Sequence, residues 1–151
     1  MKIAVISDTH IHSINSLAPR IVLELKEADL IVHAGDATTL ELIEDIRRLG
    51  PLKAVQGNMD SAELKAVLPV SELFEVEGRK IGVIHGWGSP WGIEERVKKA
   101  FGEVDVIIFG HSHKPQNAVI DGVLYFNPGD ARHSFGILTI GREISGRIIK
   151  I

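Results

Sequence analysis

Short runs of consecutive apolar residues constrain the fold of this chain more than any other feature of its sequence. Residues 3–6 are Ile-Ala-Val-Ile, with no polar residue among them. Such a run is typical of a β-strand that is covered on both faces. Residues 30–33 and 53–55 are predicted to form the next two strands, and the stretches between the three strands have helical periodicity. Because strands and helices alternate, we expect these strands to be parallel.

Turn and cap residues divide the rest of the chain into further elements. Ser16, Thr38 and Ser89 are predicted to cap three helices. A hairpin is predicted for residues 73–76 and 80–84, and a further strand for residues 104–109. Three short β segments at the end of the chain are expected to pair in antiparallel fashion. Together these elements predict a mixed, layered α/β domain, with two sheets because the last segments form an antiparallel tail.

Length and composition favour a single domain over residues 1–151. The net charge is −3 and no block of basic residues is present, so binding to nucleic acid or to a membrane surface has little electrostatic support. No apolar run approaches the roughly 20 residues of a membrane span, and the N-terminus does not have the pattern of a signal peptide. The absence of cysteine excludes disulfides and thiolate metal sites, and it agrees with an expected cytoplasmic location.

Polar side chains that can bind metals follow five of the predicted strands. They are Asp8, His10, Asp36, Asn58, Asp60, His85, His111 and His113. The carboxyl ends of parallel strands share one edge of an open α/β sheet, and ligand sites form at that edge. Segments that are far apart in the sequence are therefore expected to converge on one crevice.

Seven of these side chains are of the types that borderline divalent metals prefer. The seven are Asp8, His10, Asp36, Asn58, His85, His111 and His113. They exceed a tetrahedral zinc site and suit two ions with four ligands each, provided that one carboxylate is shared. Within residues 8–10 and 111–113, an extended backbone would direct both ligands to the same side. Any one of these residues alone is more often part of a turn or a hydrogen bond, so the prediction depends on the ordered set.

The same residues resemble the signature of the calcineurin-like metallophosphoesterases, which runs D-x-H, G-D, G-N-H-D/E, H and G-H-x-H. The corresponding stretches here are S-D-T-H at 7–10, G-D at 35–36, G-N-M-D at 57–60, H-G at 85–86 and G-H-S-H at 110–113. The short length and the stretch Y-F-N-P-G at 125–129 resemble the small archaeal and bacterial phosphodiesterase branch. The resemblance implies a four-layer α-β-β-α sandwich with two mixed β-sheets.

The resemblance also implies how two divalent ions are held. One ion would be bound by Asp8, His10, Asp36 and His113, and the other by Asp36, Asn58, His85 and His111, with Asp36 bridging. Mn²⁺ is the expected ion, and Ni²⁺, Co²⁺, Fe²⁺ and Zn²⁺ are the alternatives. A hydroxide that bridges the two metals would attack a small phosphoester substrate, with phosphodiesters as the preferred class. Asn58 is expected to act as a ligand and as a phosphate contact.

Met59 departs from the family pattern. Family members with G-N-H-D/E use the histidine to donate a proton to the leaving group, and methionine cannot do this. Leaving-group protonation by a positioned acid contributes about 10²–10⁴-fold, so aryl esters are expected to react better than alkyl esters. His12 is the candidate for a substitute acid, and an exposed loop histidine without a role is the alternative interpretation.

Several other residues near these motifs allow two interpretations. Trp87 could stack on a nucleobase or an aryl group, or pack between a helix and a sheet. For Trp91 packing is the expectation. Arg132 and His133 could contact phosphate or be solvated loop residues. His33 is expected to be a buried histidine with satisfied hydrogen bonds, close to the metal ligands.

The alternative class of function is a protein scaffold without catalytic activity. The retromer coat contains a subunit with this fold and a degenerate metal site, which is used for protein contacts. The present chain keeps every metal-ligand position, and this completeness favours an enzyme. The sequence does not determine the oligomeric state, but an edge strand near the C-terminus could pair with the same strand of a second copy.

Overall fold

Ten strands in the computed structural model of residues 1–151 form two mixed sheets of five strands each. The strands are β1 (Lys2–Ile6), β2 (Leu30–His33), β3 (Leu52–Ala54), β4 (Ser71–Val76), β5 (Arg79–Ile84), β6 (Val106–Ile108), β7 (Gln116–Ile120), β8 (Val123–Asn127), β9 (Ser134–Ile140) and β10 (Ile144–Lys150). The order in the first sheet is β10-β9-β1-β2-β3, and in the second it is β4-β5-β6-β8-β7. As predicted, β1, β2 and β3 are parallel, and so are β5, β6 and β8.

Four helices cover the outer faces of the two sheets. They are α1 (Pro19–Glu27), α2 (Leu40–Arg47), α3 (Ala62–Val67) and α4 (Ile93–Lys98). One apolar cluster joins α1, α2 and α3 to the first sheet, a second lies between the sheets, and a third joins α4 to the second sheet. The layers therefore run α-β-β-α, which confirms the predicted four-layer sandwich.

The burial of β1 explains its uninterrupted apolar sequence. Ile3 and Val5 belong to the cluster between the sheets, whereas Ala4 and Ile6 belong to the cluster under the helices. β1 pairs with β2 on one side and with β9 on the other. The residues that follow β1 are thus placed near the middle of the sheet edge.

The three predicted helix caps are shifted. Ser13, and not Ser16, caps a short 3-10 helix over Ile14–Ser16 that precedes α1. Thr39, and not Thr38, caps α2, because Thr38 has a left-handed φ of 79° and a cap needs an extended backbone. α4 begins after the left-handed Gly92 rather than at Ser89.

One helix and one strand are not predicted from the sequence. α3 is short, and its start is capped by Ser61, whose hydroxyl accepts a hydrogen bond from the Leu64 N–H. Four strands rather than three follow β6, and β8 pairs with β6 in parallel, so the end of the chain is not purely antiparallel. None of the helices is long and apolar enough to cross a membrane.

Candidate metal centre

The loops that follow the parallel strands meet at one end of the two sheets. The Asp8 N–H donates to the Gly35 carbonyl at 3.0 Å and joins the loop after β1 to the loop after β2. The Gly110 N–H donates to the His85 carbonyl at 3.0 Å and joins the ends of β6 and β5. The His111 N–H donates to Asp8 Oδ2 at 3.3 Å, which connects the two sheets across the crevice.

A first cluster of possible ligands contains Asp8, His10 and His113, whose ligand atoms lie within 4.8 Å of one another. Asp8 Oδ1 is 3.3 Å from His113 Nε2 and 4.0 Å from His10 Nε2. The fourth residue expected for this ion is Asp36, and its Oδ2 lies 3.8 Å from His10 Nε2. The structure therefore brings together all four residues of the first expected ligand set.

A second cluster contains Asp8, Asp36 and His85, all of them buried. His85 Nε2 lies 3.2 Å from Asp36 Oδ2 and 3.8 Å from Asp8 Oδ1. Asp36 thus contacts one histidine of each expected set, as a bridging ligand must. Asp8 also occurs in both clusters, so both carboxylates occupy positions from which a bridge could form, and the assignment to Asp36 stays a prediction.

Asn58 and His111 complete the second expected set on its exposed side. His111 Nε2 lies 2.9 Å from the Gly88 carbonyl oxygen, and because a carbonyl only accepts, Nε2 carries the proton. In the neutral imidazole, His111 Nδ1 then presents a lone pair, 3.3 Å from Asn58 Oδ1, which is also an acceptor. Two acceptors that face each other are stabilised by a cation between them, so this pair suits a metal ion.

Three buried ligand atoms have no hydrogen-bond partner, namely Asp8 Oδ1, His10 Nε2 and His85 Nε2. Two of them have ionic neighbours, since His85 Nε2 lies 3.2 Å from Asp36 Oδ2 and Asp8 Oδ1 lies 3.3 Å from His113 Nε2, but no well-formed hydrogen bond satisfies any of the three. Native proteins rarely leave buried polar atoms unpaired, because each costs about 1–3 kcal/mol. All three atoms belong to the two clusters. Carboxylate and imidazole groups together suit borderline divalent metals, so the residues present fit the cations that the motifs imply.

Two histidines are fixed in single tautomers by their surroundings. His85 Nδ1 donates to the Ala34 carbonyl at 2.7 Å, which leaves Nε2 free to bind a metal. His33 is fully buried, accepts from the Gly35 N–H at Nδ1 and contacts Thr9 Oγ1 through Nε2 at 3.1 Å. Burial lowers the pKa of His33 to about 3, so it is neutral. The structure therefore agrees with the expected role of His33 as a satisfied buried histidine.

Five of the expected ligands adopt left-handed backbone conformations that are uncommon for residues other than glycine. They are Asp8, His10, Asp36, His111 and His113, with φ values from 50° to 66°. This corrects the expectation of an extended backbone within residues 8–10 and 111–113. Such conformations cost of order 1–3 kcal/mol each and cluster at functional sites. The left-handed turns, rather than an extended segment, direct the paired side chains into the crevice.

Glycine is required where these loops touch. A Cβ atom at Gly57 would overlap Asp36 Oδ1 and lie 2.5 Å from the Asp36 nitrogen. A Cβ atom at Gly110 would overlap Ser7 Oγ and lie 2.8 Å from Asp8 Oδ2. Both contacts involve groups that hold the expected ligands in place, so neither glycine can be replaced without displacing the centre.

Asp60 is not one of the expected ligands, but it holds the loops that carry them. Its carboxylate accepts from the N–H groups of Gly57 at 2.6 Å, Thr38 at 2.6 Å and Asp36 at 3.3 Å. These hydrogen bonds tie the loop after β3 to the loop after β2. This agrees with a positioning role for Asp60 rather than a role as a ligand.

Asp130 is a supporting residue that is not predicted from the sequence. Its Oδ2 lies 3.6 Å from His113 Nδ1, and Arg132 holds the carboxylate through Nε at 3.0 Å from Oδ1. A carboxylate behind a metal-binding histidine orients the ring and raises its basicity. The sequence did contain a signal, because Gly129-Asp130 follows β8 in the same way that Gly35-Asp36 follows β2.

Asp130→Asn should weaken metal binding about 10–100-fold, the usual effect of losing an outer carboxylate partner. The asparagine has nearly the same size but lacks the negative charge that faces His113. Calorimetric titration of the metal-free protein with Mn²⁺ measures the change. Asp121→Asn, in the turn between β7 and β8, is the matched control. Equal affinities in the two variants would contradict the role of Asp130.

The acidic and imidazole groups of the metal-free centre perturb one another. Burial raises the pKa of Asp8 above its ordinary value. Burial also acts to raise the pKa of Asp36. The His85 imidazolium and the Met59 N–H stabilise the ionised carboxylate more strongly, so the pKa of Asp36 is lowered. Burial acts to lower the pKa of His85. The Asp36 and Asp8 carboxylates stabilise the protonated ring more strongly, so the pKa of His85 is raised.

Metal affinity should increase with pH until His85 has lost its proton. The raised pKa means that His85 is protonated to a higher pH than an ordinary histidine, and a cation must displace that proton from Nε2. We expect the affinity to rise about tenfold per pH unit for each proton displaced, and to level off above the raised pKa. Calorimetry with Mn²⁺ in buffers of different ionisation enthalpy counts the protons released. A pH-independent affinity without proton release would contradict this expectation.

The other residues singled out in the sequence lie around the crevice or away from it. His12 is exposed, and its backbone carbonyl, rather than its imidazole, accepts from Thr39. The guanidinium of Arg132 is engaged by Asp130, and His133 is exposed. Trp91 is 84% exposed, so the expectation that it packs between helix and sheet is wrong. The cause is the later start of α4, which leaves residue 91 in the preceding loop.

Known proteins share both the sequence pattern and the fold. Residues 1–140 match the calcineurin-like phosphoesterase superfamily domain. A probable metallophosphoesterase of Methanothermobacter thermautotrophicus is 38% identical over 132 residues, which cover 85% of this chain and 76% of that protein. A phosphodiesterase of Methanocaldococcus jannaschii is 29% identical over 154 residues, which cover 93% of this chain and 91% of that protein.

Solved structures extend this similarity to the whole chain. The solution NMR structure of a Thermotoga maritima protein has a TM-score of 0.80 and 34% identity, with 99% of each chain covered. Vps29 of Entamoeba histolytica, solved in complex with Zn²⁺, has a TM-score of 0.73 and 23% identity, which shows a shared fold alone. Because the family domain spans residues 1–140 and a relative at 38% identity is matched over most of its length, the chain belongs to the calcineurin-like phosphoesterase superfamily.

Proposed function

We propose that this chain hydrolyses phosphodiesters with the help of two divalent cations, with Mn²⁺ as the preferred ion. Family membership and the metallophosphoesterase relatives support the general activity of a metal-dependent phosphoesterase. The preference for diesters draws support from the relative named as a phosphodiesterase. The observation that carries the proposal is the set of three buried, unpartnered ligand atoms on Asp8, His10 and His85.

Each side chain of the centre has a proposed task. Asp8, His10, Asp36 and His113 would hold one cation, and Asp36, Asn58, His85 and His111 the other. When bound, the cations supply Lewis acidity, which lowers the pKa of water toward about 7 and offsets the charge of the phosphate oxygens. Asn58 is exposed at the mouth of the crevice, so its amide Nδ2 can donate to a phosphate oxygen while Oδ1 faces His111.

The side chain at position 59 determines how the leaving group can be protonated. Met59 is 61% exposed and has no proton to give. A leaving group that is already acidic needs no donor, so aryl esters should react faster than alkyl esters. His12, whose imidazole makes no hydrogen bond on the loop that carries His10, is the proposed substitute donor, and from that exposed position it would offset only a small part of the loss of the histidine at position 59.

A metal-by-substrate grid tests the proposed function. The protein is stripped with a chelator, reloaded with Mn²⁺, Ni²⁺, Co²⁺, Fe²⁺ or Zn²⁺, and assayed on bis(p-nitrophenyl) phosphate, p-nitrophenyl phosphate and a cyclic nucleotide. We expect no turnover without metal, recovery on reloading, and faster hydrolysis of the diester than of the monoester. Turnover by the stripped protein would overturn the metal requirement, and a preference for the monoester would overturn the diester assignment.

The scaffold alternative gives the opposite results in the same experiment. A protein used only for contacts needs no bound metal and shows no hydrolysis with any ion. The complete ligand set and its unpartnered buried atoms favour the enzyme. Cytoplasmic location and pairing of two copies through an edge strand stay predictions.

A further inference from the structure

A cavity of about 220 Å³ opens directly beside the second expected ligand set. Asn58 and His85, two of the expected ligands, form part of its wall. Trp87, Val70 and Lys65 also line it. The cavity is smaller than the roughly 300–1,000 Å³ of sites for drug-sized ligands, so it suits one ring system rather than a long chain.

Two apolar residues of this cavity are exposed to solvent. Trp87 is 47% exposed and Val70 is 62% exposed. Single exposed apolar residues need no explanation, but here two of them share a cavity with two expected metal ligands. The indole of Trp87 makes no hydrogen bond, and its ring is free to form one face of a binding site.

The backbone that carries Trp87 is held firmly. Arg96, on α4, donates through Nε to the Trp87 carbonyl at 2.8 Å and through its terminal nitrogens to the carbonyls of Ser89 and Trp91. In the same loop, the Gly88 carbonyl accepts from His111 Nε2. The loop is therefore tied both to α4 and to the metal centre, and an aromatic ligand would lose little free energy to ordering it.

Lys65 adds a positive charge to the same wall. Its ammonium group donates to the Asn58 carbonyl at 3.1 Å and keeps two further N–H groups for a ligand. A flat aromatic ring beside a phosphate matches an indole face, an aliphatic side chain and an ammonium group. A simple alkyl group would use none of the aromatic contact.

We propose that this cavity binds the aryl or nucleobase group of the phosphoester substrate, stacked on Trp87, while the phosphate occupies the metal centre. This inference rests on the proposed function and narrows the substrate class to aromatic phosphoesters. Trp91 serves as an internal comparison. It belongs to the same loop but is 84% exposed and lines a different cavity, where Lys114 Nζ lies 6.0 Å from its ring centre.

Equilibrium binding of two phosphate monoesters tests the subsite without requiring turnover. Phenyl phosphate and methyl phosphate carry the same anchoring group and are of the product class of diester hydrolysis. Calorimetry on the Mn²⁺-loaded protein should show about 5–150-fold tighter binding of phenyl phosphate, which is the range expected for stacking of one ring on an aromatic side chain. Trp87→Ala should bring the ratio close to one, and Trp91→Ala should leave it unchanged.

The two tryptophans also allow a direct optical test, because the chain has no others. Trp91→Phe leaves Trp87 as the sole tryptophan, and Trp87→Phe leaves Trp91. Titration with 4-nitrophenylphosphonate, which is not an ester, should quench the fluorescence of the first variant and not of the second. Quenching of Trp91 alone, or equal affinity of the wild type for both monoesters, would overturn the subsite.

The outcomes separate this inference from the proposed function. Hydrolysis of bis(p-nitrophenyl) phosphate together with a binding ratio of one would refute the subsite and leave the function in place. A high ratio that depends on Trp87, without turnover of any diester, would support the subsite and refute the function. Thermal melts of the four variants ensure that only folded proteins are compared.

Discussion

Asp36→Asn should remove at least one of the two proposed cations and lower the proposed phosphodiester hydrolysis by more than about 100-fold. Loss of an outer partner of a metal ligand costs about 10–100-fold, and Asp36 is expected to contact both ions directly. Its Oδ2 lies 3.2 Å from His85 Nε2 and 3.8 Å from His10 Nε2, between the two ligand sets. The asparagine can still accept from the Met59 N–H at Oδ1, as Asp36 does at 2.8 Å, but it then turns an NH₂ group toward the cations.

Three measurements test the prediction for Asp36→Asn. Metal analysis after desalting counts the bound ions, and assays with bis(p-nitrophenyl) phosphate give kcat/KM. NMR titration of the metal-free protein follows the pKa of His85, which should fall below that in the wild type once its nearest carboxylate is neutral. Asp121→Asn should match the wild type in all three. Two ions and full activity in Asp36→Asn would show that the catalytic centre lies elsewhere.

The position of the ligand cluster could be predicted from the sequence because it depends on two simple rules. Runs such as residues 3–6 identify strands that are covered on both faces, and the carboxyl ends of parallel strands share an edge. Asp8, Asp36 and His85 each lie within three residues of the end of a strand, so little knowledge of loop conformation was needed to bring them near one another. Asp130 was missed because the end of the chain was expected to be antiparallel, whereas β8 pairs with β6 in parallel and ends at the same edge.

The predictions that were wrong concern a helix cap, the backbone of the ligand loops and the packing of Trp91, all of which depend on loop conformation and tertiary contacts. Thr38 and Thr39 have the same capping chemistry, and the choice between them is made by the Asp60 carboxylate, which binds the Thr38 N–H in a left-handed turn. The left-handed residue His111 likewise donates its N–H across the crevice to Asp8 Oδ2 at 3.3 Å, a contact that the local sequence does not reveal. For Trp91, the later start of α4 decides between a packed and an exposed indole.

Met59 is the position at which a single substitution should add a function. Its side chain is 61% exposed and contributes nothing to the apolar clusters, while its N–H is fixed by Asp36 Oδ1. A histidine placed there would keep the backbone hydrogen bond and lose no core packing. It would also restore the residue that the family pattern G-N-H-D/E has at this point, next to Asn58 and the expected path of the leaving group.

Met59→His should therefore raise kcat/KM for dimethyl phosphate relative to methyl p-nitrophenyl phosphate by about 10²–10⁴-fold, the usual contribution of a positioned acid. The two substrates differ only in the leaving group, and comparison of the ratio in the variant with that in the wild type cancels any difference in ring binding and isolates protonation. The gain should disappear as the pH rises above the pKa of the new imidazole, near 6.5 if it is unperturbed, because only the protonated ring can donate. Met59→Gln has similar size but no acid, and it should leave the ratio unchanged. If both variants gave the wild-type ratio, protonation of the leaving group would not be what limits hydrolysis of alkyl esters, and the explanation would have to lie in how the cations hold the phosphate.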